Sequence, residues 1–482
     1  MIGVILAFCS FFAVVSLIAI DFFRGFGNPY MGILTYLVAP AFLITGLLFV
    51  FLGVLFERRR RRRLTPGEVP KHPQIDLNVP HQRHVFIVAV VVTFVFLFLT
   101  SIGSYRTYHF TESVVFCGQT CHDVMKPEFT AYQNSPHARV TCTQCHIGTG
   151  ADWFVRSKLS GTYQVYATLA HKYPKPIPVP VKNLRPAQET CEQCHWPAKF
   201  FGSAERVNVH FLPDEGNTKW TIRLLMKVGG GDPSQGPTGG IHWHMNLANR
   251  VEYIHTDDAR QVIPWVRVTS AEGRVTVYES NETPISAEQK TKLVPRTMDC
   301  IDCHNRPSHN YNAPVRAVNL AMSTGRINAK LASIKQYAVQ ALIGDYKTTD
   351  EGIKMIQDNL TEKYAKNADR LMVEKAIRET QDIYSKNFFP EMKVNWKAYP
   401  NNIGHSIFPG CFRCHDGKHV SSAGTTISRD CNSCHIIIGQ GKDDVKSEQI
   451  SPQGLEFEHP VDIGDLWKEM NCTECHTGAL TE

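Results

Sequence analysis

Fourteen of the chain's fifteen cysteines fall into seven short motifs in which a histidine follows the second cysteine. Six read C-x-x-C-H: Cys142/Cys145/His146, Cys191/Cys194/His195, Cys300/Cys303/His304, Cys411/Cys414/His415, Cys431/Cys434/His435 and Cys472/Cys475/His476. The first in the chain, Cys117/Cys121/His122, carries one extra residue between its cysteines. Only Cys9 is left over, in an apolar run where cysteine serves as a small buried side chain. Disulfide frameworks and zinc sites do not need a histidine after every second cysteine. A C-x-x-C-H run is the attachment signature of a c-type haem, with two thioethers to the macrocycle and the histidine placed on the iron. The motifs therefore predict seven covalent haems. Such attachment takes place outside the bacterial cytoplasm, so the body of the chain is expected in the periplasm.

The amino-terminal fifth has a different character. Ile2 to Ile20, Met31 to Phe56 and Val85 to Ile102 are three apolar runs of membrane-spanning length. Pro40 and several glycines interrupt the second, which membrane helices tolerate. The first run lacks a charged leading segment and a small-residue cleavage site, so it is expected to stay as an anchor. Six arginines, Arg58 to Arg63, account for the whole net charge of +6; without them Lys+Arg and Asp+Glu balance at 45 each. Nothing there points to nucleic acid. Beside an apolar run, the arginines mark a cytoplasmic loop. Counting outward, the amino terminus is cytoplasmic, Asp21 to Tyr30 is a periplasmic turn, Thr65 to Pro80 is a cytoplasmic connector, and the third span delivers Cys117 to the periplasm.

The fold class expected is a multihaem c-type cytochrome: three amino-terminal transmembrane helices, then a mainly α and loop-rich periplasmic region with a small β insertion. The expected divisions are a membrane anchor (1–105), a three-haem domain (106–206), the β insertion (207–290), a fourth haem with a helical spacer (291–387) and a second three-haem domain (388–482). Trp153 to His171 has helical character, and the five prolines of Tyr173 to Pro186 exclude a regular helix there. Thr221 to Val228, Arg250 to Ile254, Gln261 to Val268 and Arg274 to Tyr278 have strand composition. Ala313 to Lys386 is expected to be helical.

Each low-spin haem iron wants a second axial ligand, histidine or methionine, which sets its potential. Histidines close to a motif are the first choices: His137, His309, His405, His419 and His459. His171, His210, His242 and His244 form a second group. Met125, three residues after His122, can reach the first iron from the same local turn.

The haem motif with a nearby Met125, then S-P-H-A-R-V before C-T-Q-C-H, then a helix bearing Lys158, resembles the NapC/NirT family of membrane-anchored multihaem quinol dehydrogenases over about Val115 to His195. Three spans and seven haems also resemble seven-haem inner-membrane cytochromes of metal-reducing bacteria. That resemblance implies Met125 on the first iron, His137 reaching to a haem other than the one it precedes, and Lys158 at a menaquinol site. The acidic residue expected further along that helix is missing, and Gln164 stands nearest. Asp123, Lys126 and Glu128 are alternative proton-handling groups. The implied activity is a quinol:cytochrome c oxidoreductase of the bacterial inner membrane, drawing on the menaquinol pool and passing electrons along seven haems to soluble periplasmic multihaem cytochromes, toward an extracellular or terminal acceptor. The sequence leaves open an electron-transfer subunit without its own quinol site, a periplasm-facing reductase, and assembly as a homo-oligomer or membrane complex.

Overall fold

The computed structural model describes residues 2–24, 39–61, 76–120, 122–147, 151–181, 184–230, 239–245, 248–367, 369–442 and 453–480. Cys121, Arg62, Arg63, most of the expected Asp21–Tyr30 turn and Thr65–Pro80 connector, and most of the Gly229–Gly240 loop lie outside the described residues, as do the side chains of His122, Arg60 and Arg61. The chain divides into two compact units, Met1–Met125 and Lys126–Glu482.

The first unit is built from three helices: α1 (Ile2–Arg24), α2 (Ala39–Arg61) and α3 (Pro80–Thr111). α1 buries Gly3, Ser10 and Val14, and α2 buries Ala39, Leu43 and Gly46, all at intervals of three, four or seven residues. The two helices touch backbone to backbone. A Cβ on Gly46 would lie 2.6 Å from the Ala7 nitrogen, and one on Gly3 would lie 2.8 Å from the Val50 nitrogen. Small residues at such a crossing are how helices pack where lipid removes the hydrophobic drive between them. On α3, Phe96 packs against Phe11 with ring centres 5.2 Å apart. Most other large apolar side chains, Phe8, Ile44, Phe56, Phe94 and Phe98 among them, are exposed. Among the described residues, Ala39–Arg59 and Pro80–Thr111 are long and apolar enough to cross a membrane by themselves, whereas the apolar part of α1, Gly3–Ala19, is shorter. The sequence expectation of three spans thus meets two helices that qualify on length and hydropathy alone.

The second unit contains α4 (His122–Gln133, beginning in the first unit), α5 (Ala151–Leu169) and two antiparallel sheets. β1 (Ser203–Phe211) and β2 (Lys219–Lys227) form a hairpin. β3 (Arg250–Ile254), β4 (Trp265–Thr269) and β5 (Val275–Ser280) form a meander, to which the two-residue β6 (Arg296–Thr297) adds an edge. Neither sheet is closed by local sequence. β8 (His435–Lys442) pairs with β2, and β7 (His419–Ser421) pairs with β5. The β region is therefore not the self-contained 207–290 insertion expected; two strands from beyond residue 400 complete it.

Between those strands in sequence lies a helical block: α6 (Pro314–Ser323), α7 (Ile334–Leu342), α8 (Thr349–Lys363) and α9 (Arg370–Asn387). Thr348 caps α8 and Asp369 caps α9 through side-chain oxygens that accept from backbone amides. Val318, Ile327, Leu331, Ile334, Leu342, Ile356 and Leu360 are fully buried there, a side-chain core in the ordinary sense.

Candidate functional site

The cysteines of the motifs sit on single helical turns, as at Cys142–His146, Cys300–Cys303 and Cys472–Cys475, or on 3₁₀ turns, as at Cys191–Gln193, Gly410–Arg413 and Cys431–Ser433. All cysteines among the described residues are free thiols. The first motif differs. Phe116–Thr120 forms a wider, π-type turn, so the residue inserted between Cys117 and Cys121 is taken up within one turn instead of lengthening a loop. π-type turns hold one residue more than α-turns and recur at functional sites.

Six histidine pairs organise the second unit. Each joins one motif histidine to one histidine from outside the motifs. The ring centres are 6.2 Å apart in His146/His309, 6.1 Å in His137/His195, 6.4 Å in His242/His304, 5.8 Å in His244/His415, 6.3 Å in His405/His435 and 5.9 Å in His459/His476. A metal held between two imidazoles by bonds of about 2 Å sets ring centres about 6 Å apart. The pairs therefore have the spacing of axial ligands on one iron.

The hydrogen bonds agree. A metal-binding histidine usually gives its second nitrogen to a carbonyl or carboxylate, which fixes ring and tautomer. Nδ1 lies 2.8 Å from the Val228 carbonyl in His242, 3.1 Å from that of Ile241 in His244, 3.3 Å from that of Pro307 in His137, 2.8 Å from that of Val461 in His459, and 2.9 Å from that of Ser428 in His415. His309 places Nδ1 3.0 Å from the Glu128 carbonyl and 3.2 Å from its carboxylate, which also pairs with Arg306. Each arrangement leaves Nε2 for a metal. Burial holds His146, His244, His304, His309, His405, His435 and His476 below the ordinary imidazole pKa, so these rings are neutral at neutral pH. Neutral rings are the form that binds metal.

Three expected ligands fall elsewhere. His419 is buried with both nitrogens engaged, Nδ1 2.9 Å from the Asp416 carboxylate and Nε2 2.7 Å from the Ile263 carbonyl. His210 lies beside the Asn319 amide, and burial followed by Lys335 and Arg316 pushes its pKa down to about 4. His171 is exposed, on a left-handed backbone turn with φ of 51°. None of the three is in a ring pair with a motif histidine among the described residues.

Of the expected proton-handling groups, Glu128 is committed to His309 and Arg306. Arg306 in turn stacks on Tyr399, 4.4 Å from the ring centre. Asp123, Lys126 and Gln164 are exposed, and Met125 and Lys158 are half-buried. Lys158 lies on α5, where Leu159, Tyr163 and Tyr166 recur at intervals of four and three residues and all are exposed. Leu159 and Leu169, which the sequence placed on a common side with Phe154 and Val165, are both solvent-facing.

Covalent attachment turns plus neutral histidine pairs at metal-spanning distance define a multihaem c-type cytochrome. Residues 79–195 match the model of the NapC/NirT cytochrome c family, N-terminal region, and the chain belongs to that family of membrane electron-transfer cytochromes. It is 45% identical over 491 aligned positions to Cytochrome c-type protein ImcH of Geobacter sulfurreducens, an alignment that covers 100% of this chain and 95% of the relative. No solved structure matches it significantly.

Proposed function

We propose that the chain is an inner-membrane menaquinol dehydrogenase. Three spans anchor it with the amino terminus in the cytoplasm, and seven haems pass electrons through the periplasm to soluble multihaem cytochromes. The six histidine pairs serve six of the haems, each between its motif histidine and the partner ring. Cys117 and Cys121 hold the first, with His122 and Met125 as its iron ligands or Met125 in place of His122.

The observation that carries the quinol reading is α5. Its exposed Leu159, Tyr163 and Tyr166 give it the apolar and aromatic face of a helix that lies in a membrane interface, where a quinol is presented. Lys158 stands next to that face and is half-buried. Its ammonium donates to a quinol oxygen and so orients the substrate and stabilises negative charge as the hydroxyl loses its proton. Bound haem supplies the one-electron acceptor. Asp123 and Lys126, both solvent-facing, are the groups on α4 placed to carry protons to the periplasm; Glu128 is held by His309 and Arg306.

Rapid mixing of the purified protein with a menaquinol analogue tests this. Haem reduction is expected in the wild type, and Lys158→Ala is expected to slow it by about 10²-fold, the usual scale of a lost proton-transfer or charge-stabilising group, while reduction by a strong chemical reductant is unchanged. If no quinol reduces any haem, the proposal fails.

A further inference from the structure

His242 and His244 are one residue apart, yet their partner rings belong to different motifs: His304 of the fourth and His415 of the fifth. We propose that Ile241-His242-Trp243-His244 is a two-headed clamp. One short turn supplies the distal ligand to both the fourth and the fifth haem, and so fixes the junction across which electrons pass from the amino-terminal haem group to the carboxy-terminal one. This rests on the histidine-ligand reading above.

Five observations carry it. The turn is seated on the end of β2: the Ile241 amide donates to the Lys227 carbonyl at 2.9 Å and the His242 amide to the Gly229 carbonyl at 3.1 Å. Its fit is tight, because a Cβ on Gly230, at φ of 125°, would lie 2.2 Å from the His242 carbonyl carbon. Trp243, between the two histidines, packs on the buried cluster of Val251, Tyr253, Ile263 and Val266, which Cys414 of the fifth motif also touches. The two motifs are themselves joined, since the Arg413 guanidinium of the fifth donates to the Asp302 carbonyl of the fourth at 2.8 Å. Finally, the two rings take different orientations to their partners: His242 is parallel to His304 within 4°, whereas His244 stands at 83° to His415. Rings that diverge from alpha carbons within about 7 Å of each other, the reach of two residues, suit two separate irons and not one.

At this junction one electron leaves the iron held by His304 and His242 and arrives at the iron held by His415 and His244. The first is oxidised as the second is reduced, and no bond forms or breaks. Transfer falls steeply with separation, so a rigid common support for both distal ligands keeps the gap constant.

The test uses the full-length haem-loaded protein, read by visible and electron paramagnetic resonance spectra and by potentiometric titration. His242→Met and His244→Met are each expected to convert one haem equivalent from bis-histidine to histidine–methionine ligation with a raised potential, and the double variant two. Trp243→Gly changes neither ligand, and is expected to perturb two haem equivalents together. Trp243→Phe, the milder change, is expected to shift the same two signals in the same variant. If the methionine variants leave every haem bis-histidine, the ligand reading fails and the clamp with it. If they behave as expected but the Trp243 variants alter one haem or none, the ligands stand and the clamp is overturned.

Discussion

The helical block from α6 to α9 and the haem-motif segments around it follow opposite building rules. The block is closed by apolar side chains: Val318, Leu331, Ile334, Leu342 and Ile356 are at most 1% exposed. The motif segments bury few large apolar groups. Their turns are only three to five residues long, and Cys145, Cys194, Cys431 and Cys475 are exposed. What joins those segments across long stretches of chain is histidine pairing, His146 to His309 and His244 to His415 above all. In the first region side chains are the core. In the second the cofactors stand where a core would be, and the chain is a set of brackets around them.

The sharpest way to break that comparison is to withhold haem. When a site forms only with its metal group, binding free energy becomes folding free energy. In protein produced without haem attachment, amide hydrogen-exchange protection is expected to be lost around residues 142–147, 300–304 and 411–415 and kept in α6 to α9. Loss of protection in both regions at once would show that they are one cooperative unit. Next in size, Leu331→Ala or Ile356→Ala is expected to cost about 2–5 kcal/mol in denaturant unfolding of the block, as a buried cavity does, with haem spectra unchanged.

A smaller effect sharpens the haem side. The Glu128 carboxylate at His309 makes that ring a stronger donor and favours the ferric state. Glu128→Gln is expected to raise the potential of one haem, on the order of tens of mV, and to leave the others in place. A titration in which all potentials move together would mean that Glu128 acts on overall charge and not through His309.

The smallest effect sits in the helical block. Lys335 is buried, donates to the Val315 carbonyl at 2.6 Å, and burial pushes its pKa down to about 7. The unfolded chain keeps an ordinary lysine pKa near 10.4, so between about pH 7 and 10.4 it binds more protons than the folded chain and stability rises with pH. Below pH 7 the full penalty of the buried ammonium is present. Lys335→Met is expected to stabilise the block by about 1 kcal/mol at pH 6 and to gain less as the pH rises. An equal change at pH 6 and pH 10 would show that the charge plays no part.

Legibility in the sequence followed the range of the interactions. The motifs, the apolar helices and α5 through α9 depend on residues close in sequence, and spacing reveals them. The sheets do not. H-I-I-I-G-Q-G-K at His435–Lys442 becomes a strand because β2, more than 200 residues earlier, offers it an edge. The distal histidines fail the same way. His419, four residues from His415, looked better placed than His244, 171 residues away, but nearness along the chain is not nearness in space. Asp416 and the Ile263 carbonyl take both nitrogens of His419. Sequence carried one unused cue: two histidines flank a tryptophan just after a glycine-rich loop, and such a loop lets a backbone approach closely. The widened Cys117–Cys121 spacing also had a local reading, the π-type turn, which motif matching alone conceals.

The order of the histidine pairs along the chain has a consequence for biogenesis. A polypeptide threaded across a membrane from its amino end presents His137 before His195, His242 before His304, His244 before His415, His405 before His435, and His459 before His476. At five of the six pairs the partner ring is therefore already outside when the attachment motif emerges. His146 is the exception, since its partner His309 follows 163 residues later. That motif leaves the membrane early and is completed late, so export and maturation are coupled most tightly at the pair nearest the anchor in sequence.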